Sequence, residues 1–206
     1  FVLPSLISCF FLHKDEISYS DLLKHTKNYY QLLKSEFFLY WSEKEIETVI
    51  HSYIETMCTQ RLLIASTNKK TLQRPQMTSL KHAYLKTLAH ILSETLERYS
   101  IFIHILTAAH NKGPVKLADL EQNCNRLSEH LSLITGTKSL EKLSSFAFRS
   151  FAQTLSQLGM IQITAKEVEV IEINQSTLEL CKTSAEILSP DIKVSVQRVV
   201  VDESSD

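Results

Sequence analysis

"TMCTQRLLIASTNKKTLQ", Thr56 to Gln73, starts as the end of a helix and finishes as a hairpin. Met57 closes an apolar stripe built by Ile46, Val49, Ile50, Tyr53 and Ile54 at helical spacing. Past Arg61 the period changes: short apolar and β-branched runs flank the polar turn "STNKK", which reads as two antiparallel strands. The pattern recurs. "QTLSQLGMI" (Gln153 to Ile161) matches "TMCTQRLLI" (Thr56 to Ile64), with Ile161 standing where Ile64 stands. It leads into "GMIQITAKEVEVIEI" (Gly159 to Ile173), a second helix end followed by a second hairpin.

Helices extend outward from these two points. Ser42 and Glu45 form an S-x-x-E capping box, and Trp41 before the cap is placed to staple onto Ile46, so the only Trp of the chain reads as structural. Ser18 with Asp21 caps an earlier helix through "SDLLKHTKNYYQLLKSEFFL", closed by the Phe37 to Tyr40 run. Met77 to Ala109 holds no Gly or Pro and predicts one long helix, ended by Gly113 and Pro114. Its "YSIFIHILTAAH" part is apolar nearly all round, as a centrally buried segment would be. Leu120, Cys124, Leu127, Leu131 and Ile134 predict a further helix up to Gly136, and Leu143, Phe146, Ala147, Phe151, Leu155 and Leu158 another. The tail "KVSVQRVVV" alternates and predicts a strand before 202–206 frays. The expected class is therefore mainly α: bundle-like helical units with two short β-hairpins, in two winged-helix-like halves. The first is 1–76, with an apolar N-terminal segment; the second is 77–206, with the long helix, the second hairpin and a C-terminal tail.

With 206 residues, 44% apolar and 22% charged, the chain has the composition of a folded globular protein. Its 22 basic and 23 acidic side chains leave a net charge of −1, without the basic footprint of a nucleic-acid binder. Cys9, Cys58, Cys124 and Cys181 are widely spaced, with neither a CxxC nor Cys/His ligand spacing, so they read as reduced, buried, cytosolic-side thiols. "FVLPSLISCFFL" (Phe1 to Leu12) falls short of the ~20 residues of a membrane span and lacks a basic leader. It reads as a cut end. Its sharper functional reading is an interfacial segment on a membrane or a neighbour; a core helix or strand belonging to an upstream domain is the preferred one.

Three glycines, Gly113, Gly136 and Gly159, cannot build a glycine-rich phosphate loop, a nucleophile elbow or a dinucleotide fingerprint. Eight histidines are present, yet none lies in HExxH and none has an Asp five positions later. His82 and His90 share a helix side with Tyr84 and Glu94 only loosely, and read as solvated. His104, inside the apolar run, is the histidine placed for a ligand or proton-shuttle role; a buried imidazole ordinarily bonds a backbone carbonyl or Tyr hydroxyl. "NKK" (Asn68 to Lys70) sits at a hairpin tip, where phosphate contact is the alternative to simple solvation. No catalytic, cofactor-binding or metal-binding residue is assigned, and no cofactor is expected.

Taken together, "FVLPSLIS" (Phe1 to Ser8), "YYQLLKSEFFLYW" (Tyr29 to Trp41), "LERYSIFIHIL" (Leu96 to Leu106), "RLSEHLSLITG" (Arg126 to Gly136) and "LSQLGMI" (Leu155 to Ile161) resemble the C-terminal region of the large bacterial membrane-bound glycerol-3-phosphate acyltransferase. The likeness is one of order and spacing across most of the chain, with L-L-K-x-E-x-F-L-x-W its most distinctive element. The resemblance implies an enzyme that moves a fatty acyl group from acyl carrier protein or acyl-CoA to the 1-hydroxyl of glycerol 3-phosphate, the first step of phospholipid synthesis. It also implies a place on the cytoplasmic face of the bacterial inner membrane, peripheral or monotopic, with homo-oligomer contacts and no nucleic acid. In that family the H-x4-D box supplies general base and orienter, and GxxR and FPEG-like elements hold the substrate phosphate; none occurs here, so no catalytic residue carries over. The expectation is a non-catalytic portion of that enzyme. The alternative is a stand-alone tandem winged-helix-like module binding nucleic acid or protein.

Overall fold

The computed structural model describes residues 1–68, 70–111, 115–135, 145–165 and 169–202. They form two compact units, Phe1–Thr95 and Leu96–Asp206. The first runs α1 (Val2–Cys9), β1 (Glu16–Ser18), α2 (Tyr19–Glu36), α3 (Glu43–Thr59), β2 (Ile64–Ala65), β3 (Thr71–Gln73) and α4 (Leu80–His90). After α5 (Ser93–His110), within which the division falls, come β4 (Val115–Lys116), α6 (Leu117–Thr135), α7 (Ser145–Gln157), β5 (Ile161–Ala165), β6 (Glu169–Ile173), α8 (Gln175–Ile187) and α9 (Pro190–Asp202). The chain is mainly α, and each unit carries one small antiparallel sheet.

The two units repeat one topology. In the first, strands lie in the order β1-β3-β2, and in the second β4-β6-β5. Each predicted hairpin thus gains a third strand from the residues just before a helix: Ile17 opposite Leu72 in one unit, Val115 opposite Ile171 in the other, all four buried. Core positions correspond as well. Leu22, Thr26, Ile50, Ile54 and Met57 are buried in the first unit, and Leu120, Cys124, Phe148, Ala152 and Leu155 in the second.

Helix ends show why the hairpins form where they do. Leu62 N–H donates back to the Met57 carbonyl at 2.8 Å, and Arg61 N–H to Cys58 at 3.0 Å, with Arg61 in the left-handed region at φ 59°. Met160 N–H donates to Leu155 at 2.9 Å and Gly159 N–H to Ser156 at 3.0 Å, with Gly159 at φ 67°. Both are Schellman-type stops that satisfy last-turn carbonyls and turn the chain into a strand. They make Arg61 the counterpart of Gly159, one residue away from the register that pairs Ile64 with Ile161.

Both expected caps are present. The Ser18 hydroxyl accepts from Asp21 N–H at 3.0 Å. Glu45 reaches back to Ser42 N–H at 2.9 Å and to its hydroxyl at 2.6 Å, which holds the Glu45 carboxyl below its ordinary range. Trp41 is half-buried against the rings of Tyr30, Tyr40 and Tyr53, and its carbonyl accepts from Lys34 Nζ and Tyr30 Oη.

Four expectations are corrected. The long helix is broken at Ile91–Leu92, because Leu92 N–H and the Cys9 thiol both donate to the Ala89 carbonyl, and Leu92 is buried. Since α4 packs on α1, the boundary between units falls after Thr95 rather than at 76–77. The alternating tail is helix α9, started by Pro190 and Asp191, with Ile192 and Val196 buried one turn apart where it meets α6. The apolar opening is a core helix of the first unit itself: Leu3, Leu6 and Ile7 on α1, with Phe10 and Phe11 just after it, are buried, α1 packing on α2, α3 and α4. The stops expected at Gly113, Pro114 and Gly136 lie outside the described residues.

Arg61 and Gly159 carry a paired prediction. The Arg61 side chain is exposed, so Arg61→Gly should raise stability by about 0.5–1 kcal/mol through relief of left-handed backbone. A Cβ at Gly159 meets nothing within 4 Å, so Gly159→Ala should cost about 1 kcal/mol for conformation alone. Urea denaturation of both variants checks it; opposite signs are required.

Candidate functional site

A cleft in the first unit is built by three elements. Tyr19 opens α2, seated there by the Ser18 cap and by its own N–H donating to the Lys70 carbonyl at 2.9 Å. His51, Glu55 and Cys58 follow one another along one face of α3 at steps of about one turn. Leu72 of β3 and Ile54 of α3, both buried, supply an apolar floor. The cleft is open to solvent on one side and has a volume of about 540 Å³.

Tyr19 and His51 form its wall. Their rings stack with centroids 5.4 Å apart at 21°, and Tyr19 Oη lies 2.5 Å from His51 Nδ1. Burial, then the Glu55 carboxylate and Cys58, push the Tyr19 phenol above its ordinary pKa. It therefore stays protonated at neutral pH. Burial and Glu55 likewise raise the Cys58 thiol, which removes it as a nucleophile because thiolate is the reactive form.

The same holds for the other three thiols. Cys9 is pushed up to about 12 by burial, Cys124 is raised by burial and by Glu121, and Cys181 by burial against bonds from Thr107 and Ser184. All four are free; Cys9 and Cys124 are buried as expected, whereas Cys58 and Cys181 are only half-buried.

His104 of the second unit has the ordinary bonding of a buried imidazole. Its Nδ1–H points to the Ser100 carbonyl at 2.8 Å and to the Ser184 hydroxyl at 3.3 Å, whose own proton goes to the Cys181 carbonyl at 2.8 Å. Burial pushes its pKa down, as does Lys193, while the Ser100 carbonyl opposes them. The ring is neutral at pH 7, and the Ser100 carbonyl fixes its Nδ1–H tautomer.

Elsewhere, sequence-flagged residues stay apart. His82 faces Arg74 and Lys86, and burial with those two cations depresses its pKa; Tyr84 and His90 are exposed. Arg74 in turn is held by Asp15. At the hairpin tip, Asn68 accepts from Ser66 and from Lys70 N–H, and Lys70 is exposed; Lys69 lies outside the described residues. Among the described residues no group of three His, Cys, Asp or Glu side chains is arranged to hold a metal, and no helix is long and apolar enough to cross a membrane. The Tyr19–His51 wall escaped sequence reasoning. Its only local trace is the His51, Glu55, Cys58 spacing.

Comparison with known proteins adds what geometry alone does not. The family described as glycerol-3-phosphate acyltransferase C-terminal region matches residues 1–164. The chain belongs to that family. Among curated relatives, a glycerol-3-phosphate acyltransferase of Pseudomonas fluorescens (strain Pf-5) is 28% identical over 207 aligned residues, covering 100% of this chain and 24% of the relative. One of Pseudomonas aeruginosa (strain LESB58) is also 28% identical, over the same shares of each chain. One of Pseudomonas savastanoi pv. phaseolicola is 27% identical over 202 residues, 98% of this chain and 24% of the relative. The chain thus spans about a quarter of the length of these relatives.

Because the folded-state pKa of His104 is depressed below 6.5, its contribution to stability is full above that pH and is lost as pH falls through the window beneath it. The second unit should therefore lose stability between pH 6.5 and the depressed value. Protection of α5 amides measured against pH checks this, and His104→Gln should flatten the dependence in that unit.

Proposed function

We propose that this chain is a non-catalytic C-terminal portion of a glycerol-3-phosphate acyltransferase. The parent enzyme transfers a fatty acyl group from acyl carrier protein or acyl-CoA to the 1-hydroxyl of glycerol 3-phosphate, opening phospholipid synthesis. The observation that carries this reading is the family match over residues 1–164, to a region named as C-terminal. Several features support the non-catalytic part. Hydroxyl acylation needs a base about 3 Å from the proton it removes, with a partner that orients that base. The sequence has no H-x4-D box, and the four thiols are all held above their ordinary pKa. The roles left to such a portion are to complete the enzyme's fold, to seat it on the cytoplasmic face of the inner membrane, and to mediate homo-oligomer contacts.

A second reading has its own support. Two units of winged-helix order suit a binding module, and the exposed residues of α3 include Glu43, Glu47 and Glu55. In winged-helix proteins the equivalent helix is the one offered to a duplex, and carboxylates there repel phosphate. A protein partner fits that face better than nucleic acid.

The deciding assay incubates the purified chain with glycerol 3-phosphate and an acyl thioester and measures lysophosphatidate. No product is expected from the chain alone, while the parent enzyme shortened by this region should lose activity. Turnover by the isolated chain would sink the proposal; duplex binding that weakens steeply with salt would instead favour a nucleic-acid module.

A further inference from the structure

The cleft of the first unit has a chemical bias that neither acyl transfer nor the repeated fold requires. Glu55 is exposed at its rim, close enough to raise both Tyr19 and Cys58, yet it makes no ion pair among the described residues. Other surface carboxylates do: Glu47 pairs with Lys27 at 3.4 Å, and Glu121 with Arg149 at 2.7 Å. Beside it is the Tyr19–His51 stack, whose phenol oxygen keeps acceptor capacity whichever partner of that hydrogen bond donates. Below lies the apolar floor of Ile54 and Leu72, and Thr59 adds a hydroxyl.

The geometry points to a binding site for a primary ammonium group on a short apolar stem, with Glu55 as its counter-ion, the Tyr19 and Thr59 oxygens as acceptors, and Ile54 and Leu72 against the stem. An ammonium presents three donors and no acceptor, which matches a carboxylate and two hydroxyl oxygens. Aromatic walls add attraction for a cation, and a four-carbon stem fits comfortably within 540 Å³. An anion is refused by Glu55. A neutral apolar ligand gains the floor but leaves the carboxylate unpaired. The inference stands independently of the acyltransferase reading, since it uses only the first unit's own side chains.

The test is an NMR titration of the chain, following the Tyr19 and His51 ring resonances. The probes are n-butylammonium chloride, its neutral counterpart 1-butanol, and sodium butyrate, at constant ionic strength. Butylammonium should produce saturable shifts at both rings, with 1-butanol at least about threefold weaker and butyrate weaker still. Glu55→Gln should abolish the difference between amine and alcohol, and Glu55→Asp, which retains the charge, should preserve it; intact Tyr19–His51 cross-peaks verify folding in each. Absence of saturable shifts, equal binding of amine and alcohol, or an unchanged preference in Glu55→Gln overturns the inference. Nα-acetyl-lysine amide separates the sources: affinity similar to that of butylammonium assigns the site to a lysine side chain of a partner, and much weaker affinity to a free amine.

Discussion

Both units depend on one event, the reversal of a helix into a strand through a left-handed residue. Met57 and Leu155 sit in the last turns of α3 and α7, where carbonyls have no intrahelical donor. Leu62 and Met160 supply those donors, and this aims the next residues as β2 and β5. Strand β3 or β6 then pairs back, and the two or three residues ahead of α2 or α6 add to its free edge. The sheet thereby holds the start of α2 or α6 and the end of α3 or α7. In the first unit the same reversal lays Leu72 of β3 beside the face of α3 that carries His51, Glu55 and Cys58.

Features decided by neighbouring residues were legible in the sequence. The caps at Ser18 and Ser42 lie within three residues of their partners, and the two hairpins declare themselves by a change of period. Features decided at a distance were not. The break after α4 rests on the Cys9 thiol, far away in the chain. Strands β1 and β4 are too short to show a period and exist only through β3 and β6. Helix α9 carries a Val-rich alternation that favours a strand, yet Ile192 and Val196 also satisfy helical spacing, and packing on α6 selects it. The cleft was hidden for the same reason, since Tyr19 and His51 belong to different helices.

The electrostatics restrict what these units can do. Buried thiols stay protonated, His104 stays neutral, and the exposed face of α3 carries carboxylates. The thiols are held away from the reactive thiolate form, and the carboxylates of α3 repel phosphate backbones. The chain belongs to the glycerol-3-phosphate acyltransferase C-terminal region family and covers about 24% of the length of its relatives.

Residue-resolved hydrogen exchange tests the repeated reversal most directly. Leu62 and Met160 lie beyond their helices, yet both amides are bonded back into the last turn, at 2.8 Å and 2.9 Å. The account predicts that these two amides exchange as slowly as those within the adjoining α3 and α7. Exchange of either at the rate of an open loop would contradict it, because the helix-to-strand turn on which that unit is built would then not be formed.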